Sequence, residues 1–128
     1  NHRLDTESPF ATVLLGQPTL AAKMALGALA ALEQRITVRR IMTGMTSDET
    51  AGYIRHHLQL AGRSDPLFTD DATALIHESG RGKPRAVNRL ALAALIAACA
   101  AGKNLVDEAS ARSAVTETSH DPHPTPTP

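Results

Sequence analysis

Lys83, Arg85 and Arg89 stand where cations are electrostatically out of place. Proline is favoured at the first position of a helix, so the run Gly80-Arg81-Gly82-Lys83-Pro84-Arg85, followed by Asn88 and Arg89, predicts a helix that opens at Pro84 with Lys83 at its cap. A helix N-terminus presents unpaired N–H groups and a partial positive charge, and so favours an anion. Arg85 and Arg89, one turn apart, share a face and repel each other. Set against the dipole and against one another, these side chains ask for a bound phosphate or carboxylate. A solvated charged face accommodates the same residues without a ligand.

Two further polar groups sit at the ends of apolar elements. Gln17 follows the run Phe10-Ala11-Thr12-Val13-Leu14-Leu15, which reads as a buried parallel strand; open α/β sheets bind ligands at such carboxyl ends. Read otherwise, Gln17 is only the middle of a Gly-Gln-Pro turn. Arg35 lies between a predicted helix and a second predicted strand, and a surface partner for a helix C-terminus is its plain reading. No phosphate-cradling Gly-x-x-x-x-Gly-Lys-Ser/Thr occurs, because Pro84 follows Gly82-Lys83, and no apolar strand ends in Asp-Glu to hold magnesium. His56 and His57 are adjacent on a helix and face different ways, and Cys99 has no second cysteine beside it, so no metal site is expected. Cys99 reads as a small buried thiol of a reducing compartment.

The elements that position these groups divide in two. Over residues 1–45 the pattern is strand (10–15), helix (20–34), strand (36–41), the minimum of a βαβ unit. Two strands make no stable sheet, so the chain reads as entering partway through an α/β domain. Over 46–117 four helices follow, each with its own start and stop signals. Thr46 with Glu49 forms a capping box for a helix to about Ala61, closed by Gly62. Thr69-Asp70-Asp71 opens the next, which stops at Gly80; the helix from Pro84 ends at Gly102; Asp107 caps the last, to about Glu117. From Leu90 onward apolar residues nearly encircle the third of these, predicting a central helix packed through Leu90, Leu92, Leu95 and Ile96. Residues 118–128, ending in alternating prolines, read as a disordered tail.

Composition narrows the class. Of 128 residues 42% are hydrophobic and only 2% aromatic, which, with abundant alanine, argues for helices against an all-β fold. Thirteen basic and 13 acidic residues cancel, so no global field draws the chain to nucleic acid or anionic lipid. The apolar run Leu90–Ala101 is shorter than the about 20 residues a membrane helix needs, and Asn1-His2-Arg3-Leu4-Asp5 lacks the shape of a signal peptide. A cytoplasmic protein without membrane insertion is expected.

Four segments occur in order: Val13-Leu14-Leu15-Gly16-Gln17-Pro18-Thr19-Leu20, Gln34-Arg35-Ile36-Thr37-Val38-Arg39, Met45-Thr46-Ser47-Asp48-Glu49-Thr50-Ala51-Gly52-Tyr53-Ile54 and Gly82-Lys83-Pro84-Arg85-Ala86-Val87-Asn88-Arg89-Leu90. Together they resemble the C-terminal half of an AAA+ ATPase of the ExeA type, a relative of the ATPases that accompany DDE transposases, over about residues 1–117. The resemblance implies a mainly α chain: a strand–helix–strand remnant of the AAA+ core, then an α-helical lid. It implies that Gln17 occupies the sensor-1 position and that Arg35 is an arginine finger reaching a neighbouring subunit's nucleotide. It further implies that Arg85 is sensor 2, flanked by Lys83 and Arg89. ATP and Mg2+ would serve the intact protein, whose Walker segments would precede Asn1, and neither would bind this chain tightly. A homo-oligomer, acting with a transposase and DNA or in secretion, is the implied assembly.

Two other classes fit the same residues. The segment 70–79, the turn 80–83 and the helix from Pro84 could form a helix-turn-helix that points Arg85, Asn88 and Arg89 into a major groove. The chain could also be an interaction module or gene remnant with no activity of its own.

Overall fold

The computed structural model describes residues 11–120, and these divide into two units that part between Ile41 and Met42. The fold is mainly α.

In the second unit the helices begin where side chains can satisfy their first N–H groups. Thr46 Oγ1 accepts the Glu49 N–H at 3.2 Å while Glu49 Oε2 accepts the Thr46 N–H at 2.8 Å, a reciprocal capping box that opens α3 (Ser47–Leu60). Thr69 Oγ1 accepts the Ala72 N–H at 3.2 Å to open α4 (Asp70–Gly80). Pro84 opens α5 (Pro84–Ala100), and Asp107 Oδ1 accepts the Ser110 N–H at 3.0 Å ahead of α6 (Glu108–His120). α5 ends in a Schellman motif: the Gly102 N–H donates to Cys99 O at 3.0 Å and the Lys103 N–H to Ala98 O at 2.9 Å. α6 continues through Thr118 and Ser119; residues 121–128 of the predicted tail lie outside the described residues.

Ile54 of α3, Ile76 of α4, Val87 and Leu90 of α5 and Val106 before α6 form the core of this unit. Alanines finish it. Ala94 and Ala98 meet Ala111 and Ala114 in a buried cluster, and these short side chains let α5 and α6 pack together most extensively of all the helix pairs. A parallel bridge pairs Phe68 with Val106: the Val106 N–H donates to Leu67 O at 2.8 Å and the Thr69 N–H to Val106 O at 3.0 Å, tying the approach to α4 to the approach to α6.

Three expectations are corrected here. The helix predicted through Leu92 and Ile96 is covered on one side only. These two residues are 61% and 62% exposed, because α3, α4 and α6 pack on the stripe Val87, Leu90, Ala94 and Ala98. Cys99 shares the outward side with them and is exposed. The third correction concerns the first unit, described next.

That unit contains α1 (Pro18–Met24), a 3-10 turn (Gly27–Leu29) and α2 (Ala30–Glu33). The continuous helix predicted over 20–34 is therefore broken. Leu26 takes an extended conformation at ψ 138°, and Gly27 next to it costs a helix interior about 1 kcal/mol relative to alanine. The predicted strands are likewise not formed among the described residues: 11–17 and 36–46 run without ladder partners, and Phe10 lies outside the description. A strand exists through its neighbours, and among the described residues no second strand lies beside these segments to form a ladder. Their apolar side chains are left in solvent, with Val13 76%, Leu15 82% and Ile41 91% exposed. Amide hydrogen exchange is therefore expected to be fast over 11–17 and 36–41 and slow at the centres of α4 and α5. Slow exchange across Ala11–Leu15 in the monomer would show that these segments are held by contacts not described above.

Candidate functional site at the start of α5

α4 and α5 are joined by the three residues Arg81, Gly82 and Lys83. Arg81 takes left-handed angles at φ 50°, and its N–H and that of Gly82 return to Glu78 O and His77 O, both at 3.3 Å, closing α4. α5 then starts without a side-chain cap: Lys83 at the N-cap makes no such hydrogen bond, Pro84 has no N–H, and the first turn carries no acidic residue. α3, α4 and α6 are each capped by a Thr or Asp side chain, so α5 alone of these four begins without a side-chain acceptor for its first-turn donors. Lys83, Arg85 and Arg89 are all exposed, and none makes an ion pair among the described residues. The structure thus gathers these three predicted residues on one helix beside open N–H donors. Arg81 joins them; it stood within the same run, but its left-handed turn was not legible there.

Gln17 and Arg35 belong to the first unit. Gln17 caps α1 with its backbone only: its carbonyl accepts the Leu20 N–H at 2.8 Å, its side chain makes no cap bond, and it is exposed. Arg35 follows α2, donates its N–H to Leu32 O at 3.1 Å, and keeps an exposed guanidinium with no ion pair among the described residues. Its neighbour in sequence Arg39 does pair, with Glu33 at 3.0 Å.

The remaining polar pairs are structural. Thr50, fully buried, donates Oγ1–H to Thr46 O and lies 2.9 Å from His77 Nδ1, tying α3 to α4. The hydrogen bond from Lys103, then those from the Ser110 hydroxyl and N–H, hold the Asp107 carboxyl well below the usual carboxylate range. A carboxyl depressed in the folded state stabilises the fold fully above its unfolded pKa of about 4, and that contribution fades as pH falls through the folded value. Melting temperature measured down the acid range is therefore expected to fall less steeply in Asp107→Ala than in the unaltered chain. Parallel acid limbs would show that Asp107 is not linked to folding.

A groove of about 680 Å3 in the second unit lies at the far end of α5, over Leu67, Leu95 and Val106. Among the described residues no group of three or more His, Cys, Asp or Glu side chains converges to hold a metal, and no helix is long and apolar enough to cross a membrane.

Comparison with known proteins adds one relative to this geometry. The chain is similar to the general secretion pathway protein A of Aeromonas hydrophila. The two are 35% identical over 106 residues, which is 83% of this chain. Those residues make up 19% of protein A, so the chain spans about a fifth of that relative's length. The likeness to protein A supports the ExeA-type relationship read from the order of the four segments. No family model matches the chain, and no solved structure matches it.

Proposed function

We propose that this chain is the sensor and lid portion of a longer ExeA-type AAA+ ATPase, with residues 1–45 closing the nucleotide-binding core and the helices of 46–120 forming the lid. The observation that carries the reading is the uncapped start of α5, where Lys83, Arg85 and Arg89 make no ion pair among the described residues, in a chain 35% identical to protein A over 83% of this chain's length. Such a terminus suits a polyphosphate, since N–H dipoles and guanidinium groups both favour an anion. Arg85 would approach the γ-phosphate as sensor 2, with Lys83 and Arg89 beside it. Gln17 would orient a water or the γ-phosphate as sensor 1, and Arg35 would serve a neighbouring subunit's site in a homo-oligomer. ATP with Mg2+ supplies the phosphoryl group that passes to water. Each of these side chains offers fixed charge or hydrogen bonds where negative charge gathers, and none of them forms a bond to phosphorus. The relative's name favours a secretion-type process over transposition, in the cytoplasm.

The residues that cradle phosphates and hold magnesium are absent from this sequence, so purified 1–128 should not hydrolyse ATP and should bind it only weakly, with Kd about 1 mM. An amide-resonance titration with ATP tests the reading: shifts should centre on Arg85 and Ala86 and vanish in Arg85→Ala. Shifts that ignore Arg85 would overturn it.

The three-residue turn between α4 and α5, with Arg85, Asn88 and Arg89 exposed on the second helix, also suits a helix-turn-helix. That reading requires duplex DNA to bind, Arg85→Ala to weaken it with a shallower salt slope, and ATP titration to leave α5 unmoved.

A further inference from the structure

We infer that Gly44 and Gly82 are positioning residues, whose direct main-chain contact fixes where the start of α5, and Arg85 with it, stands relative to α3. The Met45 N–H, immediately before the Thr46 capping box, donates to Gly82 O at 2.8 Å. No side chain fits into this junction from either side. A Cβ on Gly82 would lie 2.0 Å from Met45 O and 2.7 Å from Met45 N, and a Cβ on Gly44 would lie 2.2 Å from Arg81 O. Contacts that short with backbone atoms force one of the two segments to move.

The turn has little else to fix it from outside. Arg81 and Lys83 are exposed, and the left-handed angles of Arg81 and Gly82, at φ 50° and 63°, reverse the chain between α4 and α5. Below the turn, Gly80 is buried, and a Cβ there would lie 3.3 Å from Val87. Above it is the segment 42–45, which runs straight into the reciprocal cap of α3. The start of α5 is thereby registered against the start of α3 by direct main-chain contact. Arg85 follows Gly82 by three residues, so a shift of the turn moves the backbone that carries its guanidinium. The functional consequence rests on the anion reading of α5 proposed above; the geometric claim does not.

The test uses the isotopically labelled 1–128 chain and two variants. Gly44→Ala adds a methyl group against Arg81 O. Gly82→Asn adds a Cβ with a residue that tolerates φ near +60°, so it separates the contact from backbone strain. In the unaltered chain the Met45 amide should exchange slowly. Both variants should lose that protection and shift the amide resonances of Arg81–Val87, while the amides of Ile76 and Leu90 stay in place and melting stays a single cooperative transition. Inorganic tripolyphosphate is the ligand probe. It should bind the unaltered chain at Arg85 and Ala86, and the variants about tenfold more weakly, because small misplacements of a preorganised site are costly. Fast exchange at Met45 in the unaltered chain overturns the inference without any substitution, as do Arg81–Val87 resonances that stay put in both variants. Equal tripolyphosphate affinity in all three chains also overturns it. If the unaltered chain binds no tripolyphosphate, the anion reading fails, and the exchange and resonance data still decide the positioning claim.

Discussion

Ile76→Ala is expected to destabilise the helical bundle by about 2–5 kcal/mol, the usual cost of truncating a buried isoleucine and leaving part of its volume empty. Ile76 is fully buried on α4, in the cluster shared by α3, α5 and α6. Domains of this size retain only about 5–15 kcal/mol in total, so the loss should be plain in a urea transition as a lower midpoint at unchanged slope. The contrasting substitution is Leu92→Ala. With a side chain isomeric to that of Ile76 and in the most apolar helix, Leu92 is nevertheless 61% exposed, and its truncation should cost within about 0.5 kcal/mol. Comparable losses for the two variants would mean that α5 is covered on both sides.

That contrast marks the boundary of what the sequence made legible. The four helices of 46–117 announced themselves because capping is local: Thr46 with Glu49, Thr69, Pro84 and Asp107 sit within three residues of the donors they serve or leave open, and Gly62 and Gly102 close their helices in the same local way. How many neighbours a helix has is not local. Leu90, Leu92, Leu95 and Ile96 look alike in sequence, and only the placement of α3, α4 and α6 decides that Leu90 is buried and Leu92 and Ile96 are not. The segments 11–15 and 36–41 depart from the strands expected of them for a related reason. An apolar run has the composition of a buried strand, but the ladder that would make it one must come from elsewhere, and among the described residues none does. At the candidate site, the i, i+4 spacing of Arg85 and Arg89 and the proline before them were readable directly. The Gly44–Gly82 junction was not, because it joins main-chain atoms across the sequence interval of two helices.

The second large effect expected concerns Arg35. In the assembled ATPase that we propose contains this chain, Arg35→Ala should lower turnover by about 10³–10⁵, the range that arginine fingers contribute to phosphoryl transfer. An isolated subunit should bind ATP as before, since the guanidinium serves its neighbour's nucleotide. The exposure of Arg35 and its lack of an ion pair among the described residues leave it available for that reach, whereas Arg39 is held by Glu33. Folding should be nearly unaffected, within about 0.5 kcal/mol, as for other exposed side chains. A matching loss of ATP binding in isolated subunits would place Arg35 at its own subunit's site, and unchanged turnover would remove it from the reaction.

In the function we propose, α5 presents Arg85 to the γ-phosphate. Its most direct test is magnesium-dependent ATP turnover by the protein expressed from the whole reading frame that contains these residues, unaltered and as Arg85→Ala. Loss of one charge-assisted hydrogen bond is worth about 1.5–3 kcal/mol, so turnover efficiency should fall by about 10–150-fold while the melting transition stays in place. Unchanged turnover in Arg85→Ala, or none in the unaltered protein, would contradict the account.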